Sequence, residues 1–454
     1  MAGAFRSGCI RGPYPDEWNS ETAYRIGRYL PDLIGVHDFV IGRDARQSST
    51  EIFEYLSKGL TDSGADVSDI GIVDTPALYF ANVYYKFPGS IMITASHNPA
   101  CDNGMKIHTG KAVPVSNRGG LDALEMLVAK APDMPDARVK GSGGKLDIRE
   151  DYIALLSEYR EGISPLKVVI ECMNGCAGAF IKDILRGLPG EYILLNVEPD
   201  GSFPAHGPNP LIPENTELLV KTVLEKKADI GICFDGDADR AIFIDEKGRM
   251  VSPDLILAYL ARYYFVHFPE KMKGDDVIVY DLRCSSSVKE YVSKLGGSTV
   301  ETGTGHTNMQ NAILNNRGLI GCELAGHYYF RDFYGQDTAW IAVLMVLSIQ
   351  SNENMKFSEI ISDIDKHFFS GEINFKTKNP GEVFEFLEKK YSSEGGRPEG
   401  REGLKMIFPD WWFLVRTSNT EPVLRLVVEA SSQADLDKKV LDVKGAIQCC
   451  NRFD

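Results

Sequence analysis

Phe39-Val40-Ile41-Gly42-Arg43-Asp44-Ala45-Arg46 is a short apolar run that breaks into a polar turn, and Thr50 to Leu60 continue it with helical spacing. A strand, a loop and a helix in that order form the repeating unit of an α/β sheet. The unit recurs. Val168 to Ile170 lead through Asn174-Gly175 towards a second helix, and Val277 to Tyr280 lead through Asp281 to Ser285 into Ser287 to Leu295. Three such openings predict three related α/β domains with mixed or parallel sheets. A chain of 454 residues has room for roughly three to four domains of about 100 to 150 residues each.

Loop chemistry suggests where the domains divide. Gly141-Ser142-Gly143-Gly144 reads as a linker and ends a first domain at residue 145. Asp245-Glu246-Lys247-Gly248 reads as a turn between Ala241 to Ile244 and Val251, and puts a second boundary at 247. A third falls at 362, leaving a smaller α+β domain over 363–454 in which the Gly-, Ser- and charge-rich Ser392 to Gly403 is expected to be a mobile loop.

Composition narrows the function. Hydrophobic residues make up 43% and charged residues 25% of the chain, values typical of globular proteins. A net charge of −15 repels nucleic acid and anionic membranes, so any phosphate must be gripped by a few placed groups rather than by bulk charge. Nine scattered cysteines, with no second pair to match Cys172 and Cys176 at zinc-site spacing, indicate reduced thiols. Residues 1–12 hold no apolar core of a secretory signal, and Ala339 to Leu347 is too short to span a bilayer, so it reads as a buried helix. A cytoplasmic protein without nucleic-acid or membrane partners is expected.

Thr94-Ala95-Ser96-His97-Asn98-Pro99 follows the apolar Ile91 to Ile93. A serine hydroxyl is a poor nucleophile and needs a base, a metal or a stored phosphoryl group to do chemistry. The turn at a strand end exposes Ser96, Asn98 can donate to an oxygen and Pro99 stiffens the exit. Lys106, in Asp102-Asn103-Gly104-Met105-Lys106, can return to the same place as a cation or proton shuttle. Taken alone, the stretch also reads as a plain surface turn. Against a serine hydrolase with His97 as base stand two features: neighbours in an extended chain point to opposite sides, and no Gly-x-Ser-x-Gly elbow surrounds Ser96.

Asp235-Gly236-Asp237-Ala238-Asp239-Arg240 also follows an apolar run. Three converging carboxylates repel one another unless a cation sits among them, and magnesium favours such oxygen ligands. Asp235, Asp237, Asp239 and an oxygen on Ser96 make a reasonable ligand set, with Arg240 beside an incoming phosphate. An EF-hand calcium loop fails on detail, because Arg240 stands where glycine is needed and Ala241 to Ile244 reads as a strand. Further on, Glu323-Leu324-Ala325-Gly326-His327 offers a carboxylate that can accept from two sugar hydroxyls and a titratable donor. Arg416-Thr417-Ser418-Asn419-Thr420-Glu421-Pro422 lies between apolar Phe413 to Val415 and Val423 to Val428 and reads as a phosphate cradle in a loop between strands.

These four loops together resemble those of the alpha-D-phosphohexomutases, the phosphoglucomutase and phosphomannomutase superfamily, in its bacterial branch. The resemblance implies four domains around a central cleft, three related α/β mixed-sheet domains and a smaller α+β one. It implies a phosphoserine at Ser96 and proton transfer by Lys106, with Arg11 of Ile10-Arg11-Gly12 and His306 of Thr304-Gly305-His306 supporting the catalytic phosphate. It assigns Mg2+ to Ser96, Asp235, Asp237 and Asp239, and substrate contacts to Arg240, Arg283, Glu323, His327, Arg416, Ser418, Asn419 and Thr420. The implied reaction interconverts hexose 1-phosphate and hexose 6-phosphate, of mannose or glucose, through a hexose 1,6-bisphosphate that also serves as activator. A monomer or weak homodimer acting on free hexose phosphates is expected. Departures are Cys9 for an aspartate, Arg283 for a lysine, Gly303 for a lysine and Ala325 for a serine. The alternatives are a phosphoglucosamine mutase, which more often has Ser-Gly-Thr at 418–420, and a non-catalytic sugar-phosphate-binding relative.

Overall fold

A computed structural model describes residues 4–450 except 7, 275, 378, 400–401 and 418–422, with the backbone alone at 118. Three of its four sheets repeat one plan. In the first, Asp38–Arg43 is flanked by Asp66–Ile72 and Gly89–Ile93, all parallel, and Asp102–Thr109 then pairs antiparallel with Gly89–Ile93. In the second, Leu166–Glu171 lies between Gly190–Leu195 and Ile230–Phe234, with Ala241–Asp245 antiparallel to the latter. In the third, Val277–Asp281 lies between Ser298–Thr302 and Gly318–Cys322, with Tyr328–Phe330 antiparallel. Each domain thus orders its strands second, first, third, fourth. The third strands, Gly89–Ile93, Ile230–Phe234 and Gly318–Cys322, are buried throughout. That explains why they read as unbroken small or apolar runs rather than as alternating ones.

The first three domains share one hydrophobic core. The helix Ala339–Gln350 lies wholly within it, apolar on every side. Its Trp340 donates through Nε1 to Asp74 Oδ2 of the first domain at 2.8 Å. Asp74 in turn caps the helix Thr75–Tyr84 by accepting from the Ala77 N–H at 2.7 Å. The fourth domain is an antiparallel sheet in which Val423–Ala430 pairs with Trp411–Thr417, Phe368–Phe369 and Ile373–Lys376, packed with helices Pro380–Ser393 and Gln433–Cys450. It is fastened to the third domain by polar contacts. Glu429 accepts from the Ser286 N–H at 3.1 Å, and Lys405 Nζ donates to Glu301 at 2.6 Å and to the Leu282 carbonyl at 3.0 Å.

Three expectations are corrected. Gly143 and Gly144 belong not to a linker but to an edge strand, Gly143–Lys145, that pairs with Val67 to Asp69 through backbone bonds that need no side chain. Within Ser392 to Gly403, Arg397–Glu399 is likewise an edge strand, paired with Lys405 to Ile407. The stretch after Asn174-Gly175 is not one amphipathic helix but a 3-10 turn, Cys176–Ala179, and the five-residue helix Ile181–Leu185. Among the described residues no helix is long and apolar enough to cross a membrane.

Candidate active site

The shared plan carries the site. In each α/β domain the turn from third to fourth strand bears chemistry: residues 94–101 in the first, 235–240 in the second, 323–327 in the third. These turns meet. Ser96 Oγ donates to Asp235 Oδ2 at 2.8 Å across the boundary of the first and second domains. Ser96 is 1% exposed, not presented to solvent as the turn alone suggested, because the aspartate loop lies on top of it. Gly236 makes that approach possible: a Cβ there would stand 2.6 Å from the Ser96 carbonyl oxygen. Ser96 itself adopts φ +50°, left-handed backbone. That overturns the extended-chain argument about His97, whose Nδ1 lies 3.3 Å from Ser96 Oγ. Arg240, burial and Arg11 nevertheless push the imidazole well below its usual pKa, which makes it a weak proton acceptor.

Asp235, Asp237 and Asp239 each turn an oxygen into a common space, all within 4.8 Å of one another. Lys106 Nζ bridges two of them, donating to Asp237 Oδ2 at 2.8 Å and Asp239 Oδ2 at 2.6 Å. Burial works against its charge, but those two carboxylates raise Lys106 well above its usual range and keep it an ammonium. Arg240 faces the same cluster, its Nε 3.8 Å from Asp239 Oδ1. Burial, with the charges of Asp239 and Asp237, drives the Asp235 carboxyl well above the usual carboxylate range. The outer oxygens Asp237 Oδ1 and Asp239 Oδ1 are buried without a hydrogen-bond partner. Three converging hard oxygen donors, with two carboxylate oxygens left without a hydrogen bond, fit a divalent cation such as Mg2+. Thr75, unnoticed in the sequence, clamps this loop to the first domain: its Oγ1 donates to Asp237 Oδ2 at 2.6 Å and its N–H to the Asp237 carbonyl at 2.9 Å.

Arg240 links the aspartate loop to the third domain. Its Nε lies 3.6 Å from Asp235 Oδ2 and 3.1 Å from His327 Nε2. His327 Nδ1 is 3.4 Å from Glu323 Oε2. Glu323 also accepts from the Gly305 N–H at 2.8 Å and Tyr329 OH at 2.7 Å; burial resists its charge, but His327 and Arg283 hold the carboxyl well below its usual range. His306 stands on this side of the cleft, with Nε2 2.7 Å from Gln336 Oε1 and Nδ1 3.6 Å from Asp337. Arg283 is bound to Asp281 and lies 4.0 Å from Glu323. Its Nη1 is also 3.9 Å from Glu372, which accepts from Arg416 Nη2 at 2.7 Å and Arg425 Nη1 at 3.1 Å. Arg11 joins at the far edge, donating to Asn98 Oδ1 at 3.4 Å. Ser418, Asn419 and Thr420 lie outside the described residues. Asp337, Tyr329 and Glu372 were not foreseen, since isolated polar residues whose partners lie elsewhere in the chain leave no spacing to read.

Models of phosphoglucomutase/phosphomannomutase alpha/beta/alpha domains I, II and III match residues 3–130, 150–248 and 252–367, and that of the C-terminal domain matches 372–444. A phosphomannomutase of Salmonella montevideo is 36% identical over 457 residues, covering 98% of each chain. A protein of Xanthomonas campestris described as phosphohexose mutases is 35% identical over 436 residues, covering 95% of this chain and 96% of its own. The crystal structure of a phosphoglucomutase/phosphomannomutase family protein from Burkholderia thailandensis superposes with a TM-score of 0.88 at 27% identity, covering 99% of this chain and 98% of that one. With four domain models in order along the chain and relatives aligned nearly end to end, the protein belongs to the phosphoglucomutase/phosphomannomutase family.

Proposed function

We propose that this isomerase interconverts the 1- and 6-phosphates of mannose or glucose by way of a phosphorylated Ser96. The observation that carries the reading is the 2.8 Å contact of Ser96 Oγ with Asp235, which sets a nucleophile from one domain against the acidic loop of another. Mg2+ held by Asp235, Asp237, Asp239 and a phosphoserine oxygen would neutralise charge on the transferring group. Phospho-Ser96 gives its phosphoryl group to the free hydroxyl of a bound hexose phosphate, so the Oγ–P bond breaks as the sugar O–P bond forms. Lys106, held as an ammonium, gives a proton to the departing Oγ and is recharged by the proton that the attacking sugar hydroxyl loses. The hexose 1,6-bisphosphate turns over in the cleft and returns its other phosphoryl group to Ser96.

Glu323 and His327 orient the sugar hydroxyls, and Arg240 lies beside the reacting phosphate. Arg283 cannot release its proton near neutral pH and so only positions substrate. Arg416, with Ser418, Asn419 and Thr420, grips the phosphate that is not transferred. Arg11 and His306 support the catalytic phosphate. The expected setting is the cytoplasm, the expected unit a monomer or weak homodimer, and the expected domains are 1–145, 146–247, 248–362 and 363–454.

Phosphorus NMR tests the reading directly, with magnesium and trace glucose 1,6-bisphosphate, and mannose 1-phosphate or glucose 1-phosphate in separate tubes. Conversion to the 6-phosphates supports the mutase and ranks the sugars. No conversion in either tube would sink it, and conversion of glucosamine 6-phosphate in its place would favour a phosphoglucosamine mutase.

A further inference from the structure

Arg46 is buried two residues beyond Asp44, with its side chain 0% exposed. A guanidinium has five N–H donors, and all five of these have partners. Nε donates to Asp44 Oδ2 at 3.0 Å. Nη1 donates to the carbonyls of Pro99 at 2.5 Å and Asp102 at 2.9 Å. Nη2 donates to the carbonyls of Ser96 at 2.8 Å and Asn98 at 2.7 Å. Three of the five bonds therefore end on the backbone of the loop that carries Ser96, and a fourth ends on Asp102, where the next strand begins.

That loop needs holding. Ser96 sits in left-handed backbone, which is unfavourable for a non-glycine residue and persists only where the surroundings over-determine it. The loop's own backbone bonds are few: Asn98 N–H to the Ala95 carbonyl and Asp102 N–H to the Pro99 carbonyl, each at 3.0 Å. Arg46 gathers the carbonyls of Ser96, Asn98, Pro99 and Asp102 from inside. It is itself fixed from behind, because Asp44 also accepts from Ser49 Oγ at 2.7 Å and from the Arg46 N–H at 3.0 Å. The Phe203 ring of the second domain lies 5.1 Å from its guanidinium, so the domain that bears Asp235 rests on the same group.

We propose that Arg46 is a positioning residue for phosphoryl transfer: it fixes the carbonyls of Ser96, Asn98, Pro99 and Asp102 so that Ser96 Oγ keeps its place against the aspartate loop, without itself touching the sugar. The proposal rests on the reading of Ser96 as the phosphoryl carrier. A lysine would supply three donors from one point instead of five in a plane, so Arg46→Lys keeps the charge and loses the geometry. Misplacement by about 1 Å can cost a factor on the order of 100 in rate. Sugar affinity, set on the third and fourth domains, is left alone.

The test uses full-length wild type, Arg46→Lys and the milder Asp44→Asn. Each is phosphorylated with glucose 1,6-bisphosphate, its phosphate per chain is counted by intact mass, and it is then mixed with excess glucose 1-phosphate in a single turnover. Counting per phosphorylated chain removes any loss of folded protein from the comparison. The expected result is a transfer rate about 30- to 100-fold lower for Arg46→Lys and about 10-fold lower for Asp44→Asn, with KM within threefold of wild type. A transfer rate within threefold in folded Arg46→Lys, or a loss confined to KM, overturns the proposal. Should Arg46→Lys not fold, a rate within twofold in Asp44→Asn overturns it instead. Wild type that takes no phosphate and shows no turnover would refute the phosphoserine reading, and the proposal with it.

Discussion

Glu402 of the fourth domain occupies the space over Gly303 of the third: a Cβ built on Gly303 would lie 2.3 Å from Glu402 Oε1. The carboxylate is held there by the Thr304 N–H at 3.0 Å, Thr304 Oγ1 at 2.6 Å and Asn308 Nδ2 at 3.0 Å. The chain lacks a lysine at 303, and an acidic side chain from across the domain boundary uses the room. Gly303→Ala should displace Glu402 and loosen the fourth domain, at about 1–2 kcal/mol for the lost charge-assisted bonds. Steady-state kinetics would register this as a severalfold rise in KM for glucose 1-phosphate with kcat nearly unchanged. An unchanged KM would show that the contact does not bear on substrate binding.

Ser96→Ala removes the hydroxyl that faces Asp235. Turnover should fall at least 10³-fold, the general scale on which loss of a covalent nucleophile acts. Circular dichroism should show a retained fold. Intact mass after incubation with glucose 1,6-bisphosphate should show no added phosphate, and residual wild-type turnover would argue against a covalent route.

Lys106 offsets two buried carboxylates, so Lys106→Met should lower the melting temperature in EDTA by an amount equivalent to about 3 kcal/mol, the scale for orphaning a buried charge. Millimolar Mg2+ should raise the melting temperature of wild type and raise that of Lys106→Met by more, because the ion meets less competition there. Asp237→Asn should blunt the magnesium shift. Thermal scans of the three proteins with and without the ion decide the matter.

Asp74 is fully buried, and burial raises its pKa to about 7 despite hydrogen bonds from Trp340, Ala77 and Tyr152. The folded protein thus keeps a proton that the unfolded chain releases near the ordinary Asp value of 3.8. Below about pH 4 both states hold the proton and the group's contribution is fully present. It is lost as pH rises towards 7, by about 1.4 kcal/mol per unit. Asp74→Asn cannot titrate. The melting temperature of wild type minus that of Asp74→Asn should therefore fall between pH 5 and pH 7 and level off above; a flat difference would contradict the buried proton.

What the sequence showed and what it hid divide on physical lines. Ile230–Phe234 and the aspartates behind it were legible because a strand buried on both faces leaves an apolar run and alternating carboxylates leave a pattern. The place of His97 was not, since nothing in Thr94 to Pro99 announces left-handed backbone at a serine. Gly143–Lys145 was hidden because an edge strand is held by main-chain bonds. Glu372, Asp337 and Glu402 were hidden because each is a single acid whose partners come from another domain or from more than 20 residues away along the chain.

The three matching strand-to-strand turns have a consequence for how this protein can change. On the proposed reading, the nucleophile, the acidic cage and the sugar reader are the same corner of the same small architecture, used three times and given three jobs. Each corner is anchored by a buried central strand, so its chemistry can be rewritten without disturbing the sheet behind it. The spacing between the jobs belongs to the stacking of whole domains. On that reading, selection for a different sugar can act on residues 323–327, while the distance from Ser96 to the aspartates belongs to the seam between the first two domains.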